Sequence, residues 1–224
     1  MLNIAKITKK IRYKTSGIIL KYLTPKLYES IEHQTFRAEH IKFMKDINPI
    51  NIRPSIEFMK HYFKDKSIIG LELGVKRGNN AKSILNNLNI SKLYLVDFWK
   101  NYHYIPKNAN KNYIHVIQEF KNDKRVEIIK GNSLEICKNF KDSLDFIYID
   151  SNHIYNSLYN DIANWINKVK YNGIISGHDI TVDNIKNINY FYYKQVYESV
   201  RDYCLNNGYI FYIQSPDWFF IKRE

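Results

Sequence analysis

From about residue 66 to 221, short apolar runs alternate with amphipathic stretches of helical period. The runs at 68–73, 92–96, 126–129, 145–149 and 174–176 are rich in Ile, Leu and Val, with Phe and Tyr among them. Near-continuous apolar strands of this kind are buried on both faces, as in a parallel sheet. Between them, a helix from about residue 79 carries Ala81, Ile84, Leu85 and Leu88 on one face. Further helices are predicted near 114–120, briefly after 133, and over 155–169, with Gly173 turning the chain into the fifth strand. The tail reads as a helix over 193–206, Gly208 as its C-cap, and strands at 209–213 and 218–221 around the turn Ser215-Pro216-Asp217. Those last two strands are too close together to hold a helix, so they are expected to pair antiparallel at one edge. Strands alternating with helices predict an α/β, Rossmann-like, seven-stranded and mostly parallel sheet.

Residues 1–60 read differently. Ile4, Ile7 and Ile11 share one helical face, Thr15-Ser16-Gly17 breaks it, and Ile19, Leu20, Leu23 and Leu27 form a second. Turns at Asn48-Pro49 and Arg53-Pro54 precede a short helix over 55–63, with Ser55 as the expected N-cap. The expected organisation is a helical N-terminal extension over 1–60 and an α/β domain over 61–224.

Composition narrows the class. With 224 residues and 45% hydrophobic content, the chain can bury one sizeable core. No apolar run approaches the ~18 residues of a membrane span, and the first residues lack the layout of a signal peptide. Cys137 and Cys204 stand 67 positions apart, so neither a disulfide framework nor a zinc cluster is implied. The expected compartment is the cytoplasm. Net charge is +12, and seven Lys or Arg with no acid lie within residues 1–28. That tract reads as a basic arm for a membrane surface, nucleic acid or an anionic substrate, or as the solvated face of a helical cap. Alone it specifies no partner, and homo-oligomerisation stays open.

The chemistry-bearing residues collect at strand ends. Glu72 and Gly74, Asp97, Gly131-Asn132-Ser133, Asp150 and His178-Asp179 terminate the five predicted parallel strands in order. In open α/β sheets ligands sit beyond these carboxyl ends. Asp150 and Ser133 also read as N-caps of the helices that follow them. The spacing Glu72-x-Gly74-x-x-x-Gly78, with Asp97 nineteen residues later, differs from the G-x-G-x-x-G loop that cradles a pyrophosphate. A glycine loop holding an acid suits a cationic nucleoside without phosphates, and S-adenosylmethionine is the candidate. In that reading Gly74 and Gly78 bring backbone beside the methionine moiety and Glu72 meets its ammonium. Asp97 takes the ribose diol, Phe98 or Trp99 covers the adenine face, and Asn132 and Ser133 address its edge.

These residues resemble class I S-adenosylmethionine-dependent methyltransferases, closest to the small O-methyltransferases like macrocin O-methyltransferase. The matching blocks are Gly70-Leu71-Glu72-Leu73-Gly74-x-x-x-Gly78, Leu95-Val96-Asp97-Phe98-Trp99, Gly131-Asn132-Ser133, Ile147-Tyr148-Ile149-Asp150-Ser151-Asn152-His153-x-Tyr155, Asp161, Trp165, and Gly173-Ile174-Ile175-Ser176-Gly177-His178-Asp179. The resemblance covers residues 66–221. It implies methyl transfer to a hydroxyl of a small acceptor, such as a sugar of a polysaccharide or glycosylated metabolite. It also implies a divalent cation, Mg²⁺ or Mn²⁺, held by Asp150 and Asp179 with His178 as a third ligand, and Asp150 bordering the cofactor. The chain departs from the pattern at His178-Asp179, where related metal-dependent enzymes carry Asp-Asp or Asp-Asn. Imidazole is a poor Mg²⁺ ligand and suits a softer ion.

His153, three residues past Asp150, is read as the general base that takes the acceptor's proton, with His178 the rival for that role and Asp150 beside both. The other histidines (His33, His40, His61, His103 and His115) are expected at the surface. Tyr102, Tyr104, Tyr113, Tyr190, Tyr192 and Tyr193, in segments after strands two and five, are read either as acceptor-pocket walls or as ordinary packing. A nucleic-acid acceptor is disfavoured, because the mouth is acidic and the basic tract lies far from it in sequence. A catalytically silent fold is disfavoured because Glu72, Gly74 and Asp97 are all present.

Overall fold

The structure, a computed structural model, describes residues 41–43, 52–100, 108–180 and 191–224. The chain divides into two compact units, Met1–Lys42 and Phe43–Glu224. The helical faces expected between residues 4 and 27, and the tyrosines at 102, 104 and 190, lie outside the described residues.

Seven strands carry the larger unit: β1 (Ile68–Leu73), β2 (Ile90–Asp97), β3 (Val126–Lys130), β4 (Leu144–Ile149), β5 (Val169–Gly177), β6 (Phe211–Gln214) and β7 (Asp217–Ile221). Their order is β6-β7-β5-β4-β1-β2-β3. The five from β5 to β3 run parallel, while β7 is antiparallel to both β5 and β6. Both the mostly parallel sheet and its antiparallel tail follow the sequence pattern. The reason is visible in β4, where every residue from Leu144 to Ile149 is buried. A strand covered on both faces has no solvent side on which to place polar residues.

The helices are α1 (Pro54–Phe63), α2 (Asn79–Asn87), α3 (Ala109–Phe120), α4 (Ser133–Asn139), α5 (Tyr155–Trp165) and α6 (Phe191–Asn206). Three details depart from the sequence reading. First, α5 stops at Trp165; a single 3₁₀ turn follows (Ile166–Lys168), and Val169 already begins β5. Gly173 therefore lies inside the strand. Leu144 pairs with Val169 but Phe146 with Ile174, so β5 carries three extra residues there. Periodicity does not reveal such a bulge, because its residues follow neither a period of two nor one of 3.6.

Second, Ser55 is not the N-cap of α1. Pro54 takes the first helical position, which its fixed φ suits, and Arg53 is the cap without a side-chain bond. Ser55 is thereby moved into the first turn, fully buried. Third, the cap before α4 is Asn132, whose side-chain oxygen accepts from the Leu134 and Glu135 backbone N–H groups, rather than Ser133. Ahead of α5 the cap position is Ile154, so Asp150 is released from capping duty.

Candidate active site

The strand order turns back between β1 and β4, and the crevice at such a reversal is where open α/β sheets bind ligands. Two sets of residues meet there.

The first set comes from β1 and β2. Gly74 has φ +86°, and a Cβ on it would lie 2.1 Å from the Asp150 carbonyl oxygen. Only glycine fits, and the loop after β1 is thereby pressed against the exit of β4. Asp97 closes β2 and ties this loop: its two carboxylate oxygens accept from the Lys76 N–H at 2.8 Å and the Trp99 N–H at 2.7 Å. The Trp99 indole N–H donates to the Lys76 carbonyl at 3.0 Å, and its buried ring lies 4.9 Å from that of Tyr113. Phe98 follows Asp97 and carries the Lys100 ammonium 5.4 Å from its ring centre. Below the loop, Glu72 is buried within β1. Asn80 donates to its Oε1 at 3.0 Å, yet Glu72 Oε2 and Asn80 Oδ1 are buried without a partner. Burial pushes the Glu72 carboxyl up to about 8; the Asn80 bond works against this and the Asp150 charge adds to it. Once the Glu72 carboxyl is ionised, these unfilled acceptor positions suit a cationic donor such as a ligand ammonium.

The second set comes from β4 and β5. Asp150, His153 and Asp179 each present a ligand atom, and these lie within 4.8 Å of one another. His153 Nε2 stands 2.7 Å from Asp179 Oδ2 and 3.8 Å from Asp150 Oδ1. The Asp179 contact is close but poorly aligned with the ring N–H, and Nε2 remains buried without a proper hydrogen bond. The two carboxylates, Asp150 and then Asp179, raise the imidazole to about 9 against the opposing effect of burial. For Asp179, burial pushes upward, but the close His153 contact and the Arg53 charge hold the carboxyl below its usual range. Asp179 also has φ +68°, a strained backbone for a non-glycine residue. His178, expected among the cation ligands, is not in this trio; His153 takes that place. The Nε2 of His178 is 3.6 Å from Asp179 Oδ1, and its Nδ1 points the other way, to Asp217.

Three side chains without a sequence-assigned role complete the cluster. Arg53 places Nη2 3.4 Å from Asp150 Oδ2, donates through Nη1 to the Tyr148 hydroxyl, and lies 5.4 Å over the Tyr148 ring. Tyr148 in turn donates to Asp217 at 3.1 Å. In the sequence Asp217 read only as the last residue of the turn before the final strand, and Arg53 only as the residue before a turn proline.

Asn132 and Ser133, assigned to the adenine edge, are both occupied internally. Asn132 caps α4. The Ser133 hydroxyl donates to Asp161 at 2.6 Å and accepts from the Trp165 indole at 2.8 Å, while Ser151 donates to the other Asp161 oxygen at 2.9 Å. An open hollow of about 550 Å³ beyond β3 is lined by Asn132, Gly131, Ile129, Tyr94 and Phe140, and shares no side chain with the Asp150 cluster. His61 is exposed and His115 half-buried, and they pair with Glu57 and Glu119 on their own helices. Both cysteines are buried and free.

Residues 71–180, which hold both sets, match a family described as a methyltransferase domain. Over this stretch the chain is similar to a methyltransferase domain. No curated protein sequence matches the chain significantly. Among solved structures, a protein from Staphylococcus aureus provisionally assigned as a caffeoyl-CoA O-methyltransferase is 16% identical, with a TM-score of 0.57 over 99% of this chain and 100% of its own. The O-methyltransferase NovP is 16% identical, with a TM-score of 0.54 over 76% of this chain and 80% of its own. MycE, from the mycinamycin biosynthetic pathway and solved with Mg, S-adenosylhomocysteine and mycinamycin VI, is 13% identical, with a TM-score of 0.53 over 76% of this chain and 49% of its own. At such identities the likeness is one of fold, and the fold of the methyltransferase domain is the one the alternating pattern predicts.

Proposed function

We propose that the protein is an S-adenosylmethionine-dependent O-methyltransferase acting on a hydroxyl of a small acceptor, with a sugar of a polysaccharide or glycosylated metabolite as the acceptor class. One observation carries the reading: Gly74 packs directly on the Asp150 carbonyl. The loop suited to the cofactor and the cluster suited to a hydroxyl therefore share one wall of the crevice.

The residues fit the cofactor. Glu72 Oε2 and Asn80 Oδ1 lack donors that an ammonium would supply, and a carboxylate such as Asp97, with two acceptor positions in use, retains others for a ribose diol. Bound S-adenosylmethionine supplies a methyl group activated on a sulfonium. They also fit a divalent cation. Asp150, His153 and Asp179 form an O, N, O donor set whose imidazole nitrogen is unsatisfied, which suits Mn²⁺ better than Mg²⁺. Such an ion supplies Lewis acidity toward an acceptor hydroxyl.

Catalysis is then chiefly orientation. The chain's residues would hold an acceptor hydroxyl in line with the cofactor's sulfonium methyl group and take its proton on an imidazole. Of the two imidazoles named from the sequence, His178 suits the proton better. His153 would be committed to the divalent cation through Nε2, whereas His178 stands outside that trio and its Nδ1 is engaged away from the mouth.

The test is release of S-adenosylhomocysteine from a panel of sugars, phenols and transfer RNA, each with Mn²⁺, Mg²⁺ or EDTA. Turnover with a sugar that Asp150→Asn removes supports the proposal. Turnover with RNA alone overturns the acceptor class.

A further inference from the structure

Asp217 is fully buried at the first position of β7. A buried carboxylate is tolerated only when its acceptor positions are filled. Here Oδ2 accepts from the Ser55 backbone N–H at 3.1 Å and from the Ser55 hydroxyl. Oδ1 accepts from the Tyr148 hydroxyl at 3.1 Å and from His178 Nδ1 at 2.8 Å. Arg53 Nη1 adds charge from 4.0 Å. The Ser55 bonds serve the fold, because they pin the head of α1 to β7. The His178 bond serves something else, since it reaches out of the core to a side chain at the crevice.

A carboxylate only accepts, so the proton on the His178 ring must sit on Nδ1. That assignment follows from the Asp217 contact and leaves Nε2, on the other edge of the ring and beyond hydrogen-bond distance at 3.6 Å from Asp179 Oδ1, as the unprotonated nitrogen. The main chain of the same residue is also fixed: the Trp218 indole donates to the His178 carbonyl at 3.1 Å, and the His178 N–H donates to the Ile149 carbonyl at 3.4 Å. The imidazole is thus held from β4 and β7, with one nitrogen buried and the other presented.

We infer that Asp217 is the positioning residue of the active site: it fixes the orientation and tautomer of His178 so that Nε2 receives the acceptor hydroxyl. Asp217 touches neither substrate nor cofactor and acts through the imidazole. The arrangement reproduces the logic of an acid–imidazole dyad, in which an amide in place of the acid keeps the packing but selects the wrong tautomer. The kinetic half of this inference rests on the O-methyltransferase reading; the tautomer half does not.

Asp217→Asn tests it. The Ser55 backbone N–H cannot turn away, so the new amide keeps its oxygen there and points its NH₂ at His178. The ring must then carry its proton on Nε2. The ¹⁵N shifts of the His178 ring, assigned by comparison with His178→Gln, are expected to report the Nδ1–H form in the wild type and the Nε2–H form in Asp217→Asn. Once a turned-over acceptor is in hand, kcat is expected to fall about 10²–10⁴-fold with KM and S-adenosylhomocysteine affinity unchanged. Ser55→Ala, which removes an anchor but not the His178 bond, is expected to move neither the tautomer nor kcat. If Asp217→Asn keeps the Nδ1–H form and its kcat within about threefold, Asp217 is a structural staple and the inference fails. If the variant does not fold, the wild-type spectrum decides alone: an Nε2–H ring, or a mixture, overturns it. If no acceptor is turned over, the tautomer remains readable and only the methyltransferase reading is damaged.

Discussion

A carboxyl group buried in an apolar strand, with half its acceptors unfilled, makes Glu72 the residue most open to a pH test. An unfolded glutamate titrates near 4.5, but burial holds the folded one near 8. Between those values the folded state binds the extra proton, so its stability falls as pH rises. The urea midpoint of the cofactor-free protein is expected to drop between pH 5 and 8, and Glu72→Gln is expected to lessen that slope. The same substitution removes the ionisable carboxyl proposed to meet the cofactor's ammonium, and calorimetry should show S-adenosylhomocysteine bound about tenfold more weakly. Legibility at this scale followed distance along the chain. Glu72, Gly74 and Asp97 fall within one βαβ unit, so their spacing carries their meaning. Arg53 and Asp217 sit 97 and 67 positions from Asp150, and only the sheet order brings them to it.

Elements followed the hydrophobic pattern wherever burial was two-sided, as in β1 and β4, and drifted where backbone chemistry intervened. Pro54 moved the start of α1, and the bulge at 170–173 moved that of β5. The glycines give a paired test of such chemistry. Gly208, just past α6, has φ +73° with nothing near its missing Cβ, so Gly208→Ala should cost only the left-handed strain, about 1 kcal/mol. Gly74 fails on both strain and space; Gly74→Ala should cost more than about 2 kcal/mol in urea unfolding and weaken cofactor binding with it. Away from the site, Asp145 near the start of β4 accepts from the Ile69 N–H and from Lys66 and Lys170. Burial raises its carboxyl, but these bonds outweigh that and hold it below 3.8. Its contribution is therefore present above that value and lost as pH falls through the lower folded one. Asp145→Ala should cost about 2 kcal/mol by denaturation and leave S-adenosylhomocysteine affinity unchanged.

For the whole molecule, strand order does what no single motif does. The reversal between β1 and β4 sets the glycine loop, the Asp150 cluster and the buried Asp217 network around one crevice. The alternating pattern foretold the sheet, and with it which strand ends would lie around the reversal, because the rule placing ligands there is topological. It did not foretell which imidazole joins the carboxylates, since that is decided by side-chain directions at the ends of β4 and β5. Nor did it give the partner of the basic N-terminal tract, which lies outside the described residues. Among the described residues, no helix is long and apolar enough to cross a membrane. The central claim is that the crevice holds the cofactor through Glu72, Gly74 and Asp97, and calorimetric titration with S-adenosylhomocysteine tests it most directly. One site of micromolar affinity in the wild type, weakened at least about tenfold in a folded Asp97→Ala variant, is the predicted result. A folded wild-type protein that binds no S-adenosylhomocysteine, with or without Mn²⁺, would contradict it.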